Sequence, residues 1–353
     1  MRSITVDAST RYDVLIGDAL LDRSGELIRG VWSGKTAAVV SDDNVFPLYG
    51  EKVCRSLERS GINVCSFVFP HGERSKNLST YSELLEFLCE KHITRGDMLV
   101  ALGGGVTGDM TGFAAATYLR GIPFVQIPTT LLADVDSSVG GKTAVDLAGG
   151  KNQVGCFYQP SLVICDTDTL ATLPEEEYRC GCAEVIKYGM IGDPGFFGSL
   201  AETPARSQLL NVIETCVSMK RDFVLRDEFD RGDRMLLNFG HTFGHAVEKC
   251  SGYTVAHGYA VAMGMCAVTK AAEALGRCEK GVYSALCGVV GSYGLPTELP
   301  PYPLEDMHSA ALSDKKSTGS VVRLIVPESI GRCVIDTLSP DELREWMKAG
   351  GIK

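Results

Sequence analysis

The first third of the chain alternates short apolar runs with amphipathic ones. Strands are predicted where β-branched and aromatic residues cluster before Gly, Pro or Asp: Asp13–Ile16, Thr36–Val40, Val64–Phe69, Met98–Leu102 and Phe124–Ile127. Between them, Leu48–Ser60 and Thr80–His92 carry helical periodicity. Strand, helix and strand at this spacing are typical of βαβ units, so the pattern predicts an α/β domain with a parallel sheet.

The pattern changes after about Leu170, where strand signals become sparse. Five segments carry helical signals: Glu175–Tyr188, Ala205–Glu228, Phe243–Lys249, Tyr259–Leu275 and Gly281–Tyr293. Tyr259–Leu275 is apolar on nearly every face, which predicts a buried central helix. We therefore predict an α/β domain over residues 1–170 and a mainly α-helical domain over residues 171–353. The active site is expected in the cleft between them. The proline-rich Glu298–Asp306 is expected to be a loop.

Composition narrows the function classes. A chain of 353 residues is long enough for two packed domains, and its net charge of -10 argues against a general nucleic-acid binder, which needs a basic surface. The thirteen cysteines form no CxxC pair, and the amino terminus lacks a signal-peptide pattern, so a reduced cytoplasm is expected. Apolar runs stay below the roughly 20 residues that cross a bilayer, so no membrane association is expected.

Three of the six histidines, His241, His245 and His257, lie between Leu236 and Gly258. Neutral imidazole suits Zn²⁺, and an Asp or Glu from elsewhere commonly completes a catalytic site that keeps one open position. Spacing alone pairs His241 with His245, at i and i+4 on one helical face, while His257 reaches in from a later turn. The alternative is a pair of ordinary polar or core histidines.

A glycine-rich turn follows the run Met98–Leu102. Gly103, Gly105 and Gly108 fit G-x-G-x-x-G, between a strand and a helix expected to begin near Asp109. Glycines let backbone N–H groups approach a pyrophosphate at a helix amino terminus, so the turn predicts dinucleotide binding; the alternative is a tight turn without a ligand. The acidic residue expected about 20 positions later is missing, and Asp42, after an earlier strand, is the candidate for the ribose hydroxyls.

The segment from Pro128 to Asn152 concentrates groups that bind oxyanions: Thr129, Thr130, Asp136, Lys142, Lys151 and Asn152. The alternative is a flexible solvated loop. In the second half, Glu184 and Lys187 lie three residues apart on one predicted helical face, while Lys220 and Arg221 lie in a long helical run. Arg231 and Arg234 are spaced in the same way. Each of these charges taken alone is more often a surface group.

Taken in order, five motifs resemble the 3-dehydroquinate synthase family: GGGVTGDMTGF, PTTLLADVDSSVGGKTAVD, GKN, AEVIKYG and LNFGHTFGHA with a later HG. The resemblance runs from about residue 40 to residue 326. It implies a Rossmann-like amino-terminal domain, a helical carboxy-terminal domain, catalytic NAD, a divalent zinc or cobalt ion, and a homodimer.

The resemblance also implies roles for individual residues. Glu184, His241 and His257 match the metal ligands, so His245 faces the substrate instead. NAD is surrounded by Asp42, Glu73, Lys76, Gly104, Gly105, Asp109, Thr129, Thr130, Lys142, Lys151 and Thr172. Substrate groups are contacted by Asp136 and Lys187 (hydroxyls), Lys220 and Arg234 (carboxylate), and Asn152, Asn238 and Arg120 (phosphate), Arg120 from the partner subunit. Lys142 lies near the substrate too, as does Lys315 or Lys316. The sequence departs from the family at His71, beside Glu73 and Lys76.

The implied substrate, 3-deoxy-D-arabino-heptulosonate 7-phosphate, carries a carboxylate and a phosphate, so an acidic protein needs a local basic pocket. The implied reaction is a transient oxidation by NAD, phosphate elimination, reduction, ring opening and aldol closure to 3-dehydroquinate, in the shikimate pathway of aromatic amino-acid biosynthesis. Three alternatives stay open. They are another sugar-phosphate cyclase of the superfamily, a metal-dependent polyol dehydrogenase, and a non-catalytic NAD-binding module.

Overall fold

The computed structural model describes residues 1–314 and 321–353. Two compact units emerge from it: residues 1–174 with 213–229, and residues 175–212 with 230–353. The chain therefore leaves the first unit, returns to it for one helix, and leaves again. The domain boundary at residue 170 and the cleft site stay predictions, because a compact unit is defined by contacts and a domain by independent folding.

The first unit is organised around a seven-stranded sheet with strand order β1-β2-β9-β6-β5-β3-β4. The strands of this unit are β1 Arg2–Asp7, β2 Arg11–Gly17, β3 Thr36–Asp42, β4 Asn63–Phe69, β5 Met98–Gly103, β6 Phe124–Pro128, β7 Lys142–Leu147, β8 Gly150–Phe157 and β9 Leu162–Asp166. Within the sheet, β1 pairs antiparallel with β2 and the remaining pairs are parallel. All five predicted strands are confirmed, as β2 to β6. Strands β7 and β8 form a separate antiparallel hairpin.

Helices cover both faces of this sheet: α1 Ser24–Arg29, α2 Glu51–Arg59, α3 Leu78–Glu90 and α4 Gly105–Thr117. Neighbouring residues of β3 belong to different cores, since Val39 packs in one cluster while Ala38 and Val40 pack in the other. Two-sided burial explains why the strands are continuous apolar runs. The expected helix start near Asp109 is wrong, because the extended backbone of Gly104 lets α4 begin at Gly105, directly after β5.

Helices dominate the second unit, as predicted. Its elements are α5 Glu175–Gly192, α6 Pro194–Glu202, α8 His241–Cys250, α9 His257–Ala274, α10 Val282–Ser292, α11 Leu304–Asp314, the hairpin strands β10 Val322–Ser329 and β11 Arg332–Leu338, and α12 Pro340–Ala349. Helix α7, Leu209–Arg226, lies mostly in the returning segment of the first unit. The predicted loop Glu298–Asp306 ends early, because α11 begins at Leu304.

Helix α9 is the buried centre of the second unit, which confirms the prediction for Tyr259–Leu275. It packs against α5, α8, α10 and α12. Glycines bring these helices unusually close. A Cβ on Gly264 would lie 2.1 Å from the carbonyl oxygen of Gly240, and a Cβ on Gly258 would lie 2.3 Å from Cys180 Cα. The start of α8 is therefore held against the middle of α9, and the first turn of α9 is held against α5. Within the described ranges, no helix has the length and apolarity needed to span a membrane.

Candidate metal centre and anion-binding cavity

Three helices of the second unit each contribute one side chain to a single cluster. Glu184 lies within α5, His241 is the first residue of α8, and His257 is the first residue of α9. The Glu184 Oε1 atom lies 3.4 Å from His257 Nε2 and 3.6 Å from His241 Nε2. One ligand atom from each residue lies within 4.8 Å of the others, so the structure brings the three predicted ligands together.

Both imidazoles are oriented in the same way. Each directs Nε2 towards Glu184, while Nδ1 of His241 lies 3.1 Å from the Phe239 carbonyl oxygen and Nδ1 of His257 lies 3.4 Å from Glu248 Oε2. A carboxylate and two imidazole nitrogens are donors that zinc or cobalt accepts, and three protein ligands leave a coordination position open. The donor set therefore fits a divalent ion.

Burial and the neighbouring carboxylates act in opposite directions on the two histidines of this cluster. Glu184 and Lys187 are each 1% exposed and form an ion pair, so the expectation that such charges are surface groups is wrong for both. Burial lowers the pKa of His241 to about 3, so its ring is neutral and available as a ligand. Burial also opposes a charge on His257, but hydrogen bonds to Glu184 and Glu248 raise the pKa of that residue to about 10. A divalent ion would replace the His257 proton on binding.

His245 lies beside this trio on α8. Its ring centroid is 5.4 Å from that of His241 and 6.1 Å from that of His257, so the predicted i, i+4 proximity is confirmed. A second group of ligand atoms, from His245, Glu248 and His257, also lies within 4.8 Å. Sequence reasoning missed Glu248, although its spacing from His245, at i+3 on one helix, was a readable signal.

A cavity of about 520 Å³ lies in the first unit, between α4, the β7–β8 hairpin and α7. Its polar lining includes Asp109, Asp136, Lys142, Asn152 and Lys220. Lys220 Nζ lies 3.0 Å from Asp136 Oδ1 and also donates to the Asp136 carbonyl oxygen. The segment that carries the predicted oxyanion-binding groups forms the helical turn Ala133–Ser137 and then enters the β7–β8 hairpin, so the alternative of a flexible loop is wrong.

A buried lysine connects residues for which the family resemblance implied different roles. Lys76 is 4% exposed, and its Nζ lies 2.6 Å from both Asp109 Oδ2 and Asn152 Oδ1. Although burial opposes a charge there, the carboxylates of Asp109 and Glu73 raise the pKa of Lys76. The Asn152 N–H donates to Asp146 Oδ1, which fixes the hairpin turn. Lys76 thus ties α4 to the hairpin at the cavity wall.

The glycine turn gathers four more of the predicted cofactor residues at the carboxyl ends of β5 and β6. A Cβ on Gly104 would lie 3.0 Å from Thr130 Cγ2, and a Cβ on Gly105 would lie 3.2 Å from Ser137 Oγ. The Thr129 N–H donates to the Gly103 carbonyl oxygen. A turn without side chains, placed before a 13-residue helix, suits the close approach of a pyrophosphate.

Other predicted residues are engaged by the protein itself. The Asp42 Oδ1 atom accepts the N–H groups of Asn44 and Val45, so this carboxylate caps the turn after β3. The Thr172 hydroxyl bonds to Tyr49. The remaining predicted residues differ in exposure: Glu73, Lys142 and Arg120 are exposed, Lys151 and Asn238 are half-buried, and Arg234 is 1% exposed. The backbone of Arg120 is left-handed, with φ +69°. Lys315 and Lys316 lie outside the described residues.

Comparison with known proteins gives consistent matches along the chain. The family profile for the 3-dehydroquinate synthase N-terminal region matches residues 66–180, and the profile for its C-terminal region matches residues 181–317. A 3-dehydroquinate synthase of Pelobacter propionicus is 44% identical over 353 residues, covering 97% of this chain and 98% of that protein. The chain belongs to the 3-dehydroquinate synthase family. A second 3-dehydroquinate synthase, from Streptococcus suis, is 40% identical over 346 residues, covering 96% of this chain and 98% of the relative.

Solved structures agree with this family and its fold. A 2-epi-5-epi-valiolone synthase from Streptomyces hygroscopicus subsp. jinggangensis, with NAD⁺ and Zn²⁺ bound, gives a TM-score of 0.88 at 27% identity, covering 99% of this chain and 98% of that one. A 2-deoxy-scyllo-inosose synthase gives 0.89 at 24% identity, covering 98% and 99%. A glycerol dehydrogenase from Schizosaccharomyces pombe gives 0.68 at 19% identity, covering 96% and 88%. The last two show only the fold of this chain. With the profiles and the relatives above, the predicted family, fold class and enzymatic nature are confirmed.

Proposed function

We propose that the protein is a 3-dehydroquinate synthase that converts 3-deoxy-D-arabino-heptulosonate 7-phosphate to 3-dehydroquinate and phosphate, with catalytic NAD and a divalent zinc or cobalt ion. The observation that carries the proposal is the meeting of Glu184, His241 and His257 within 4.8 Å. The 40% and 44% identical relatives bear this enzyme's name, and the 27% identical cyclase was solved with NAD⁺ and Zn²⁺.

Glu184, His241 and His257 hold the ion, and the protein prepares them for it. A bound divalent ion supplies Lewis acidity, which lowers the pKa of a substrate hydroxyl and polarises the ketone that oxidation produces. Lys187, paired with Glu184, adds a fixed positive charge beside the reacting hydroxyls. Asp136 accepts from those hydroxyls, and its own pairing with Lys220 keeps the carboxylate oriented. His245, which is 37% exposed, faces the substrate rather than the ion.

Basic side chains recognise the two anionic ends of the substrate. Lys220 and Arg234 bind the carboxylate, and Lys142, which is exposed at the cavity, contacts substrate and cofactor. Asn152 and Asn238 donate amide N–H groups to the phosphate, joined by Arg120 from a partner subunit of a homodimer. Arg120 is exposed and follows α4 in a left-handed turn, consistent with a residue that reaches outward. We place the enzyme in the cytoplasm.

NAD supplies a hydride acceptor and donor and is regenerated in each turnover. Gly104 and Gly105 leave the amino terminus of α4 open to its pyrophosphate. Lys76 and Asp109 hold this helix to the hairpin, and Lys151 lies on β8 of the same hairpin. The other proposed contacts to the cofactor come from Asp42, Glu73, Thr129, Thr130 and Thr172.

The proposal is tested by following phosphate release from the heptulosonate phosphate with catalytic NAD, in wild type and in His257→Ala. We expect many turnovers per NAD without net NADH in wild type, and nearly complete loss in the variant, because two ligands do not retain the ion. Glu202→Gln, an exposed carboxylate on α6 of the same unit, is the matched control.

Three results would overturn the proposal. Stoichiometric NADH without phosphate release would indicate a polyol dehydrogenase. Turnover of a hexose phosphate that lacks a carboxylate, but not of the heptulosonate phosphate, would indicate another cyclase. Full activity in His257→Ala would remove the metal centre from the mechanism.

A further inference from the structure

We propose that Glu248 is a positioning residue that orients the imidazole of His257 and fixes its tautomer for metal binding. The inference rests on the metal centre proposed above. Glu248 is 3% exposed, and its Oε2 atom lies 3.4 Å from His257 Nδ1, on the side of the ring opposite Glu184. A buried carboxylate against the non-ligating nitrogen is the arrangement that holds histidine ligands in many zinc sites.

The two histidines need such a partner for the same reason. A neutral imidazole carries one proton, and a hydrogen bond from Nδ1–H leaves the Nε2 lone pair for the ion. His241 makes this bond to the Phe239 carbonyl oxygen, which is fixed by the backbone just before α8. The Nδ1 of His257 faces a side chain instead, so its orientation depends on a group that can be replaced by mutation.

Backbone contacts fix Glu248 in place. Its carbonyl oxygen accepts the Tyr253 N–H at 2.7 Å and the Ser251 hydroxyl at 2.8 Å, so the same residue closes the turn that ends α8. Its side chain then faces the first residue of α9. Glu248 Oε2 also lies 3.9 Å from His245 Nε2. One carboxylate thus lies between the metal ligand and the imidazole proposed to face the substrate.

The group His245, Glu248 and His257 also satisfies the distances of a second ion site. We favour the positioning role because the two sites need the same imidazole, and only one of its nitrogens is free of a proton in the neutral ring. Counting bound ions separates the two readings.

The test measures metal affinity as well as activity, in the full-length protein. Zinc Kd is obtained by competition with a chromophoric chelator, and the absorption of Co²⁺ reports ligand geometry. Glu248→Ala is expected to weaken zinc binding about 10- to 100-fold, and Glu248→Gln, which keeps an acceptor for Nδ1–H, to weaken it less. Glu184→Gln is the reference for loss of a ligand, and Glu202→Gln should match wild type. Circular dichroism confirms that each variant folds.

The outcomes are distinguishable. If wild type fails to bind one ion per chain, the proposed function fails first. If wild type binds one ion, and Glu248→Ala has the same zinc Kd and the same Co²⁺ spectrum as wild type, the positioning role is wrong and the proposed function stands. Two ions in wild type that fall to one in Glu248→Ala, with the remaining Kd unchanged, would instead make Glu248 a ligand of a second site. The partial rescue by Gln is the result that a purely structural role would not produce.

Discussion

The proposed metal centre of the second unit and the cavity of the first differ in the contacts that hold them in place. Around Glu184, His241 and His257, the helices approach through glycine contacts that leave no room for a Cβ atom, and the buried Glu184–Lys187 ion pair adds a charged contact. In the cavity wall, the buried Lys76 ammonium group forms an ion pair with Asp109 and donates a hydrogen bond to Asn152. A close-packed contact is sensitive to added volume, and a buried ion pair is sensitive to the loss of one partner.

This difference suits the two ligands. A divalent ion demands ligand atoms at fixed distances, which close-packed helices provide. An anionic substrate needs positive charge in a place that water also reaches, and the cavity offers Lys142 and the Lys220 that pairs with Asp136 as the proposed source of that charge.

Removing the buried lysine should have the largest effect. Lys76→Met leaves the Asp109 carboxylate without its cation, and breaking one side of a buried pair costs about 3–5 kcal/mol. We expect this loss in the free energy of unfolding in urea, together with weaker binding of NAD. The matched control is Lys52→Met, since Lys52 pairs with Asp22 at 3.3 Å but is 43% exposed, and its loss should cost about 1 kcal/mol or less. Equal costs in the two variants would contradict the role given to burial.

Adding one methyl group should disturb the metal centre. Gly264→Ala puts a Cβ 2.1 Å from the Gly240 carbonyl oxygen, so α8 and α9 must separate, at a cost of about 1–3 kcal/mol. Zinc content after dialysis should fall with stability. Gly288→Ala on α10 is the control, because its Cβ would meet open space, and it should stabilise the protein by about 0.5–1 kcal/mol. Unchanged zinc content in Gly264→Ala would show that ligand geometry does not depend on this contact.

The smallest expected effect concerns the carboxyl group of Asp134. Its side chain is fully buried, and burial raises the pKa of Asp134 well above the usual value. The neighbouring Cys165 thiol lowers this pKa and so offsets the effect of burial only in part. The native state therefore keeps a proton that the unfolded chain releases above about pH 4, so this group makes stability fall as pH rises.

Asp134→Asn removes this pH dependence. Relative to wild type, its stability should rise steadily from about pH 5 to about pH 8, because only the wild-type native state holds back a proton that the unfolded chain releases. Urea unfolding at the two ends of this range measures the change. A constant difference between variant and wild type would mean that Asp134 is ionised in the native state.

The sequence predicted most reliably what depends on local pattern. Strands β2 to β6 were found because both faces of the sheet are apolar, and α9 because it is apolar all round. The helix start at Gly105 was missed because Gly104 and Gly105 have no side chains. Neither an apolar pattern nor a capping side chain therefore marks the start of α4 in the sequence.

The prediction of the site residues succeeded and failed along the same line. Spacing brought His241 and His245 together correctly, but it could not select Glu184, which lies on another helix and far away in sequence. Only the family motifs indicated Glu184 as a proposed metal ligand. Neither source indicated that Lys76 would face Asn152, because such a contact depends on how β8 pairs with β7.

The return of residues 213–229 to the first unit has a consequence for how this enzyme can be made and dissected. Asp136 can form its ion pair with Lys220, and the Gln159 amide can donate to Glu228 Oε1, only after the ribosome has translated the chain far beyond Pro174. A fragment ending at that proline would contain the entire parallel sheet and still lack one wall of its own cavity. Any attempt to express a nucleotide-binding half alone must therefore splice the α7 segment back in.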